Sequence, residues 1–351
     1  AQLLDEDISI DLAKRVISDA TNKKFNPKAS DQKILQSVSN YFNVEDLDRK
    51  VWYLDSLIQS SNIDIIAIQE NESEAGNYFS TLIDALNDSE SQYIWAGYKP
   101  NDGYTWLAYI INTSTVNNSE VPYLILSDYS YDFARLPYIL EIIVSNKKYY
   151  IINNHFKAFS DATSENRRKN ASIYLQNYID TYLSEENVIV LGDLNDILTD
   201  ALANNVFQMI INDTENYLFA DMEIAEGSSA DWSYPWWPSH IDHILITNEL
   251  FDEFVNGSST VQTIKIDEYM EGGFDDYYEN ISDHRPVALK LEFGTSNNGD
   301  VNQDGSVNIL DVVMTVNIIL SGEYNSLADF NNDGFFDLWA ANFKRVLIPL
   351  L

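Results

Sequence analysis

The stretch Val188-Ile-Val-Leu-Gly-Asp-Leu-Asn-Asp196 constrains the fold of this chain more than any other. Four apolar residues, Val188 to Leu191, spell a buried strand that runs into Gly192. Asp193 and Asn195 then leave the strand end on alternate positions, and a strand pleat would point both side chains the same way. An apolar strand that ends in glycine and two short polar groups holds those groups rigidly at a sheet's rim. Taken alone, the stretch also reads as a strand followed by an Asx-rich turn. Four further stretches repeat the design, however. Ile63–Gln69 ends at Glu70, and Tyr149–Asn153 is followed by Asn154-His155. Ser239-His-Ile-Asp-His243 opens one strand and Ser282-Asp-His-Arg-Pro286 precedes another.

Between these stretches the pattern alternates. Leu47, Val51, Leu54 and Ile58 recur at helical spacing, and helices are also expected around Tyr78–Leu86 and through Leu175, Tyr178, Ile179 and Tyr182. Strand-like runs fall at residues 93–96, 105–111, 123–126, 138–144, 149–153, 240–246, 261–266 and 286–292, while 200–235 is poorly patterned. Many short strands with few helices predict an α/β sandwich of mixed sheets rather than a regular βαβ array. Residues 1–32 form an unassigned N-terminal extension, and the main domain spans 33–293. Composition changes at Gly294-Thr-Ser-Asn-Asn-Gly299, which reads as a linker before a module over 300–351.

Charge narrows the function. With 55 acidic and 21 basic residues the net charge is −34, which opposes nonspecific binding to nucleic acid or anionic lipid. Any polyanionic substrate must be drawn by local cations or bound metal. The chain has no cysteine, so disulfides and thiolate metal sites are excluded. No apolar run reaches the roughly 18 residues of a membrane helix. The first residue is Ala, which is compatible with a removed export signal.

All four histidines, His155, His240, His243 and His284, fall within the strand-end motifs. Carboxylates and an Asn amide suit a hard cation such as Mg²⁺, which neutralises charge developing on phosphate. His–Asp pairs supply acid–base function near neutral pH. In order and spelling, IDIIAIQE, VIVLGDLND and SDHRPV resemble the endonuclease/exonuclease/phosphatase superfamily, over residues 33–293. The resemblance implies a four-layer α/β sandwich of two mixed sheets flanked by helices, with the site at strand ends between the sheets. It also implies a phosphoric ester hydrolase dependent on Mg²⁺ or Mn²⁺. Glu70 then corresponds to the main metal carboxylate, with Asp283 close to the metal. Asp193 would orient or deprotonate the attacking water and Asn195 would hold the phosphate. His284, polarised by Asp242, would be the acid–base partner. His155 and Arg135 match phosphate-contacting groups of the nuclease-like branches. The family's first metal ligand fits two registers: Asn43, with Asn40 as a lesser candidate, or Ser37, which would leave a ligand missing.

These features predict a secreted, extracellular bacterial phosphodiesterase acting as a monomer, with nucleic acid as the first choice of substrate. A lipid or small-molecule phosphoesterase is the second. An inactive family member serving as a calcium-dependent binding or scaffold protein is the alternative of another class. Lys157, Arg167, Arg168 and Lys169 follow His155 and form either a positive patch or the solvated first turns of a helix. Trp232-Ser-Tyr-Pro-Trp-Trp-Pro238 either presents tryptophans to bases or lipid, or packs as loop core.

The C-terminal module contains a repeat. Asp300-Val-Asn-Gln-Asp-Gly-Ser-Val-Asn-Ile-Leu-Asp311 places oxygen donors at alternate positions with Gly305 at the bend, as an EF-hand-type calcium loop requires. Asp300, Asn302, Asp304, Ser306 (through its carbonyl) and Asp311 are the expected ligands. The second copy offers Asp329, Asn331, Asp333, the Phe335 carbonyl and Asp337, but Ala340 stands where the last carboxylate belongs. One good Ca²⁺ site and one weakened or empty site are therefore expected. The paired loops resemble a dockerin, a small all-α EF-hand-like module, which implies a cohesin partner. Ile309-Leu310 and Leu338-Trp339 replace the Ser-Thr pair of the best-known dockerins, so docking onto the chain's own catalytic domain is the alternative.

Overall fold

The structure is a computed structural model. It describes Asp55, Ile58 and residues 63–70, 78–87, 93–102, 105–118, 120–144, 147–201, 204–255, 259–270, 272–291, 301–302 and 309–321. The chain divides into two units, Ala1–Leu291 and Glu292–Leu351.

In the first unit the apolar runs become strands, several of which bury residues on both faces. The elements run β1 (Ile65–Ile68), α1 (Tyr78–Leu86), β2 (Trp95–Tyr98), β3 (Ala108–Asn112), β4 (Asn117–Asn118), β5 (Tyr123–Leu124), α2 (Ser130–Phe133), β6 (Tyr138–Val144) and β7 (Lys147–His155). They continue through α3 (Ala162–Tyr182), β8 (Asn187–Asp193), α4 (Gln208–Asn212), β9 (Tyr217–Phe219), α5 (Met222–Glu226), β10 (Asp242–Thr247), α6 (Phe251–Val255), β11 (Thr260–Thr263), α7 (Gly273–Asn280) and β12 (Val287–Lys290). One antiparallel sheet has the order β1-β3-β2. A mixed sheet runs β4-β6-β7-β8-β10-β9 with β5 also on β6, and β11 pairs β12. Strands β7 and β8 are parallel, joined by a crossover through the long helix α3, as a parallel pair requires.

Three apolar clusters separate the layers. On β3, Ala108 and Ile110 pack with α1 residues Phe79, Leu82 and Leu86, while Leu107, Tyr109 and Ile111 face the other way. There they meet Tyr138 and Leu140 of β6, Tyr149 and Ile151 of β7, Ile189 of β8, and Ile244 and Ile246 of β10. The partly buried Val261, Val287 and Leu289 of β11 and β12 close this middle core. The intervening residues Ile139, Tyr150, Ile152, Val188, Val190 and Leu245 point to the opposite face, onto Ala171, Leu175 and Ile179 of α3. The result is helix, sheet, sheet, helix: the four-layer α/β sandwich. Burying one such Ile or Leu contributes about 1.5–3 kcal/mol, so the layers on both faces of the mixed sheet stabilise this unit.

Several sequence expectations are refined. The run expected at 261–266 leaves the sheet at Thr263 and turns through a 3-10 segment at Ile266–Tyr269. The unpatterned 200–235 region contains α4, β9 and α5, elements too short to show a period. Residues 1–32, the linker 294–299 and the candidates Asn43, Asn40 and Ser37 lie outside the described residues. So do Asp300, Asp304, Ser306, Asp329, Asn331, Asp333, Phe335, Asp337, Leu338, Trp339 and Ala340.

In the second unit, α8 spans Ile309–Ser321. Asp311, in its first turn, is buried, and its Oδ1 accepts the Asn302 backbone N–H at 3.1 Å. The twelfth residue of the first loop thus reaches back to the third.

Candidate active site

The parallel β7–β8 register sets His155 beside Asp193, and the antiparallel β8–β10 register sets Asp193 beside Asp242. Adjacent pleats thus bring three chemical groups from distant sequence positions to one rim. The close approach of β7 and β8 depends on Gly192. Its φ is +130°, and a Cβ there would lie 2.0 Å from the Asn154 carbonyl oxygen.

One expectation needs correction. Asp193 and Asn195 do not share a side by strand alternation, because β8 ends at Asp193 and Asn195 has φ +54°. A left-handed turn brings them together instead, a conformation Asn tolerates better than most residues. The Asn195 backbone N–H donates to Asp193 Oδ1 at 2.9 Å, and its Nδ2 donates to Asp193 Oδ2 at 3.0 Å and to the Phe156 carbonyl at 3.2 Å. Beyond this turn, Asp196 Oδ2 accepts from Arg168 Nε at 2.7 Å, a buried pair that ties the turn to α3.

Glu70 follows β1 with φ +58°, and its side chain is 60% exposed. Its Oε1 lies 3.8 Å from both Arg135 Nη2 and His155 Nε2. Sequence reasoning missed what fixes this position. Asn153, buried on β7, receives the Gln69 amide on its Oδ1 at 2.7 Å and donates to the Ile68 carbonyl at 3.0 Å. Its own N–H donates to the buried Tyr109 hydroxyl at 2.9 Å. This bridge spans the two sheets one residue short of Glu70. The signal lay in Gln69 and Asn153 closing apolar runs at positions flanked by Ile68 and Ile152, since buried amides need partners.

His155 Nε2 lies 3.3 Å from Asp193 Oδ2. Burial, then the positive charges of Arg135 and His284, push its pKa down to about 3, so the ring is neutral. Asp193 moves the other way: burial and then the Asp242 charge raise its pKa to about 7, against the pull of His284. His284 Nδ1 is 2.7 Å from Asp242 Oδ2. Burial disfavours the imidazolium, but Asp242, Asp193 and Asp283 together outweigh it and raise the pKa to about 10. Asp242 is held below its ordinary value: burial opposes ionisation and the His284 charge and hydrogen bond overcome it. Tyr277 donates its hydroxyl to the His284 carbonyl at 2.8 Å, and the Tyr234 ring lies 4.7 Å from the imidazole. Glu70, Arg135, His155, Asp193, Asn195, Asp242 and His284 therefore form one continuous chain of contacts. Asp283 joins it through its charge on His284.

His240 and His243 belong elsewhere. His240 Nε2 and His243 Nδ1 face the same Asp221 oxygen at 3.0 and 2.6 Å, and Asp221 Oδ1 accepts the Ile244 N–H. His240 Nδ1 accepts the Ser233 N–H, and His243 Nε2 faces the Asp196 carbonyl at 2.8 Å. All three side chains are buried and offer metal-ligand atoms within 4.8 Å of one another. Tetrahedral ligands about 2.0–2.1 Å from a zinc would stand roughly 3.3 Å apart, however, farther than these hydrogen-bonded atoms. The group is a closed network that anchors β10 and the 193–196 turn. Asp221 came from the region without pattern, so the network was not legible beforehand.

The tryptophan stretch is not loop core at its centre. Trp236 stacks on Tyr278 at 5.1 Å with its surface exposed, and Trp237 is 77% exposed. Trp232 is instead tied down by its Nε1, which donates to the Ile224 carbonyl.

The structure is similar to D. rerio TDP2 complexed with single strand DNA product (15% identity, TM-score 0.51), covering 71% of this chain and 94% of that one. It is also similar to a Bacteroides thetaiotaomicron mannosyl-6-phosphatase, at 13% identity and TM-score 0.47, covering 70% and 92%. An endonuclease/exonuclease/phosphatase protein of Bacteroides vulgatus matches at 15% and 0.46, covering 70% and 91%. No curated protein sequence matches significantly. Residues 298–338 match the dockerin type I domain. Residues 40–284 match the endonuclease/exonuclease/phosphatase family, whose members are metal-dependent phosphoric ester hydrolases, and it is to this family that the chain belongs.

Proposed function

We propose that the protein is a secreted, divalent-metal-dependent phosphodiesterase whose substrate is nucleic acid. One observation carries the reading: groups from separate strand ends, far apart in sequence, converge on Asp193, and Asp193 and His284 both have raised pKa values. An Asp carboxyl raised to about 7 and a His raised to about 10 make a base and an acid that coexist near neutral pH. Asp193 accepts a proton from the attacking water, and His284, held by Asp242, gives one to the leaving oxygen. Neutral His155 and the Arg135 guanidinium bind the phosphate oxygens. Asn195 was assigned to the phosphate by resemblance, but its amide hydrogens are directed at Asp193 and Phe156, so it also orients Asp193.

The residues suit a hard cation. Glu70 is an acceptor-only carboxylate, exposed, with no charged partner among the described residues closer than 3.8 Å. Glu70 and Asp283, with Asn43, would hold Mg²⁺ or Mn²⁺, which when bound offsets the charge developing on phosphate.

The division into a hydrolase over 33–293, a linker at 294–299 and a calcium module over 300–351 is part of the proposal, as is a monomeric state. The dockerin match supports Ca²⁺ binding, export and a cohesin partner. In α8, Leu310, Val313 and Met314 expose apolar side chains suited to such a partner.

The test is a panel of plasmid DNA, RNA, sphingomyelin and nitrophenyl phosphoesters, each with Mg²⁺, Mn²⁺ or chelator. Metal-dependent cleavage of DNA or RNA is expected. Intact nucleic acid with turnover of sphingomyelin or a nitrophenyl ester would replace the nuclease by a lipid or small-molecule phosphoesterase. No turnover at all would leave a binding protein.

A further inference from the structure

The chain carries a net charge of −34, yet two cations beside the site have no carboxylate within ion-pair distance among the described residues: Lys157 and Arg167. Each is laid over an aromatic ring instead. Lys157 Nζ is 4.3 Å from the Phe159 centroid, and Arg167 Cζ is 4.6 Å from that of Tyr131. Both rings are largely exposed, Phe159 at 74% and Tyr131 at 67%. Arg167 Nε is buried with no hydrogen-bond partner.

Phe159 is also in the wrong conformation for its residue type. Its φ is +79°, a region a bulky side chain occupies only when the surroundings force it. Arg168 does the forcing: its Nη1 donates to the Lys157 and Phe159 carbonyls at 2.8 and 2.7 Å, while its Nε is locked on Asp196. A loop that needed only to turn would place Gly or Asn here. Burial does not offset the strain, because the ring is in solvent, and an exposed cation–π contact is the weaker term. Tyr131 is held in place by its neighbours: Phe133, two residues on, is buried, and Asp132 accepts from Asn170 of α3 at 3.1 Å. Cations gather at this corner: burial, then the charges of Arg167 and Arg135, lower the Lys157 pKa, with Asp161 opposing and Arg168 adding to the shift. Lys157 follows His155 by two residues, so the corner borders the proposed phosphate position.

We infer that Lys157, Phe159, Tyr131 and Arg167 form a second subsite that takes the nucleotide next to the scissile phosphate, its base stacked on an exposed ring and its phosphate on the cations. A base is free to stack in this way only when it is unpaired, so the substrate class becomes single-stranded nucleic acid. This inference rests on the nuclease reading above and narrows it.

The test uses the full chain with Mg²⁺, a single-stranded 12-mer, the same sequence as a duplex, and bis(p-nitrophenyl) phosphate. Phe159→Gly removes the ring and also relieves the backbone strain, so folding is not in question. The ratio of kcat/KM for the single strand to that for the small diester is expected to fall about tenfold, mostly through KM. Lys157→Gln with Arg167→Gln is expected to flatten the dependence of log kcat/KM on log salt by roughly 1.4. A wild type that cleaves the 12-mer but prefers the duplex, or a ratio unchanged in Phe159→Gly, would overturn the subsite and leave the nuclease reading standing. A wild type inert toward both nucleic acids while hydrolysing the small diester would overturn the nuclease reading itself.

Discussion

Replacing Gly192 by Ala separates two costs that are usually confounded. The new Cβ would lie 2.0 Å from the Asn154 oxygen and 3.0 Å from the Asn154 N and C atoms. Contacts under 3.0 Å essentially never occur, so β7 or β8 must retreat by about 1 Å, against a close-packed layer on each face. Overpacking of this kind costs about 1–3 kcal/mol, and a φ of +130°, which L side chains rarely adopt, adds about 1–3 kcal/mol. Gly273 provides the control: its φ is +61°, but a Cβ there meets nothing within 4 Å. Gly273→Ala should therefore cost only the backbone term of about 1–2 kcal/mol. Urea unfolding of the two variants should place Gly192→Ala lower by about 1–3 kcal/mol. Because the shifted pair carries His155 and Asp193, now 3.3 Å apart, its kcat/KM should also fall roughly 100-fold while Gly273→Ala stays near wild type. Equal stability of the two variants, with full activity in both, would refute the claim that this strand contact sets the site.

Three further outcomes follow from charge and coordination. If Asp193 is the base, kcat/KM should rise with pH through about 7 as its carboxyl ionises, and Asp193→Asn should abolish both the rate and that limb of the profile. In the buried network, Asp221 is held below its ordinary pKa because His243 and His240 outweigh the cost of burial, so its contribution is present above about pH 4 and lost only in strong acid. His243 is raised because Asp221 outweighs burial, so its contribution is complete below about pH 6.5 and fades as pH climbs through the raised value. Urea midpoints at pH 6 and pH 9 should accordingly differ more in wild type than in His243→Asn; an equal difference would contradict the network. Calorimetry with Ca²⁺ should find one strong site, from the loop closed by Asp311, and a second that is weak or absent; two equal sites would contradict the reading of Ala340.

Much of this was legible because the chemistry sits in local spelling. Glu70, His155, Asp193, Asp242 and His284 each stand at the end of an apolar run, and the run fixes both the strand and the end. The layers were implied by the family resemblance, and the structure shows how they arise: Tyr149 and Ile151 face one core while Tyr150 and Ile152 face the other. What stayed hidden depends on partners distant in sequence. Asn153 meets Gln69 across 84 positions, and Asp221 meets His243 across 22. The turn at Asn195 and the strained Phe159 are imposed by tertiary contacts, the latter by Arg168, and no local pattern records a positive φ on a phenylalanine. The exposure of Trp236 and Trp237 likewise depends on which surface the loop presents, which composition does not decide.

As proposed, Asp193 and His284 work as a base and an acid on one phosphodiester beside a cation at Glu70. Single-turnover cleavage of a single-stranded oligonucleotide tests it most directly, with wild type, Glu70→Gln, Asp193→Asn and His284→Ala compared in Mg²⁺ and in chelator. Cleavage by the wild type in Mg²⁺ alone, with each variant slowed by at least about 100-fold, is the expected result. Cleavage that persists in chelator, or at wild-type rates in His284→Ala and Asp193→Asn, would contradict it.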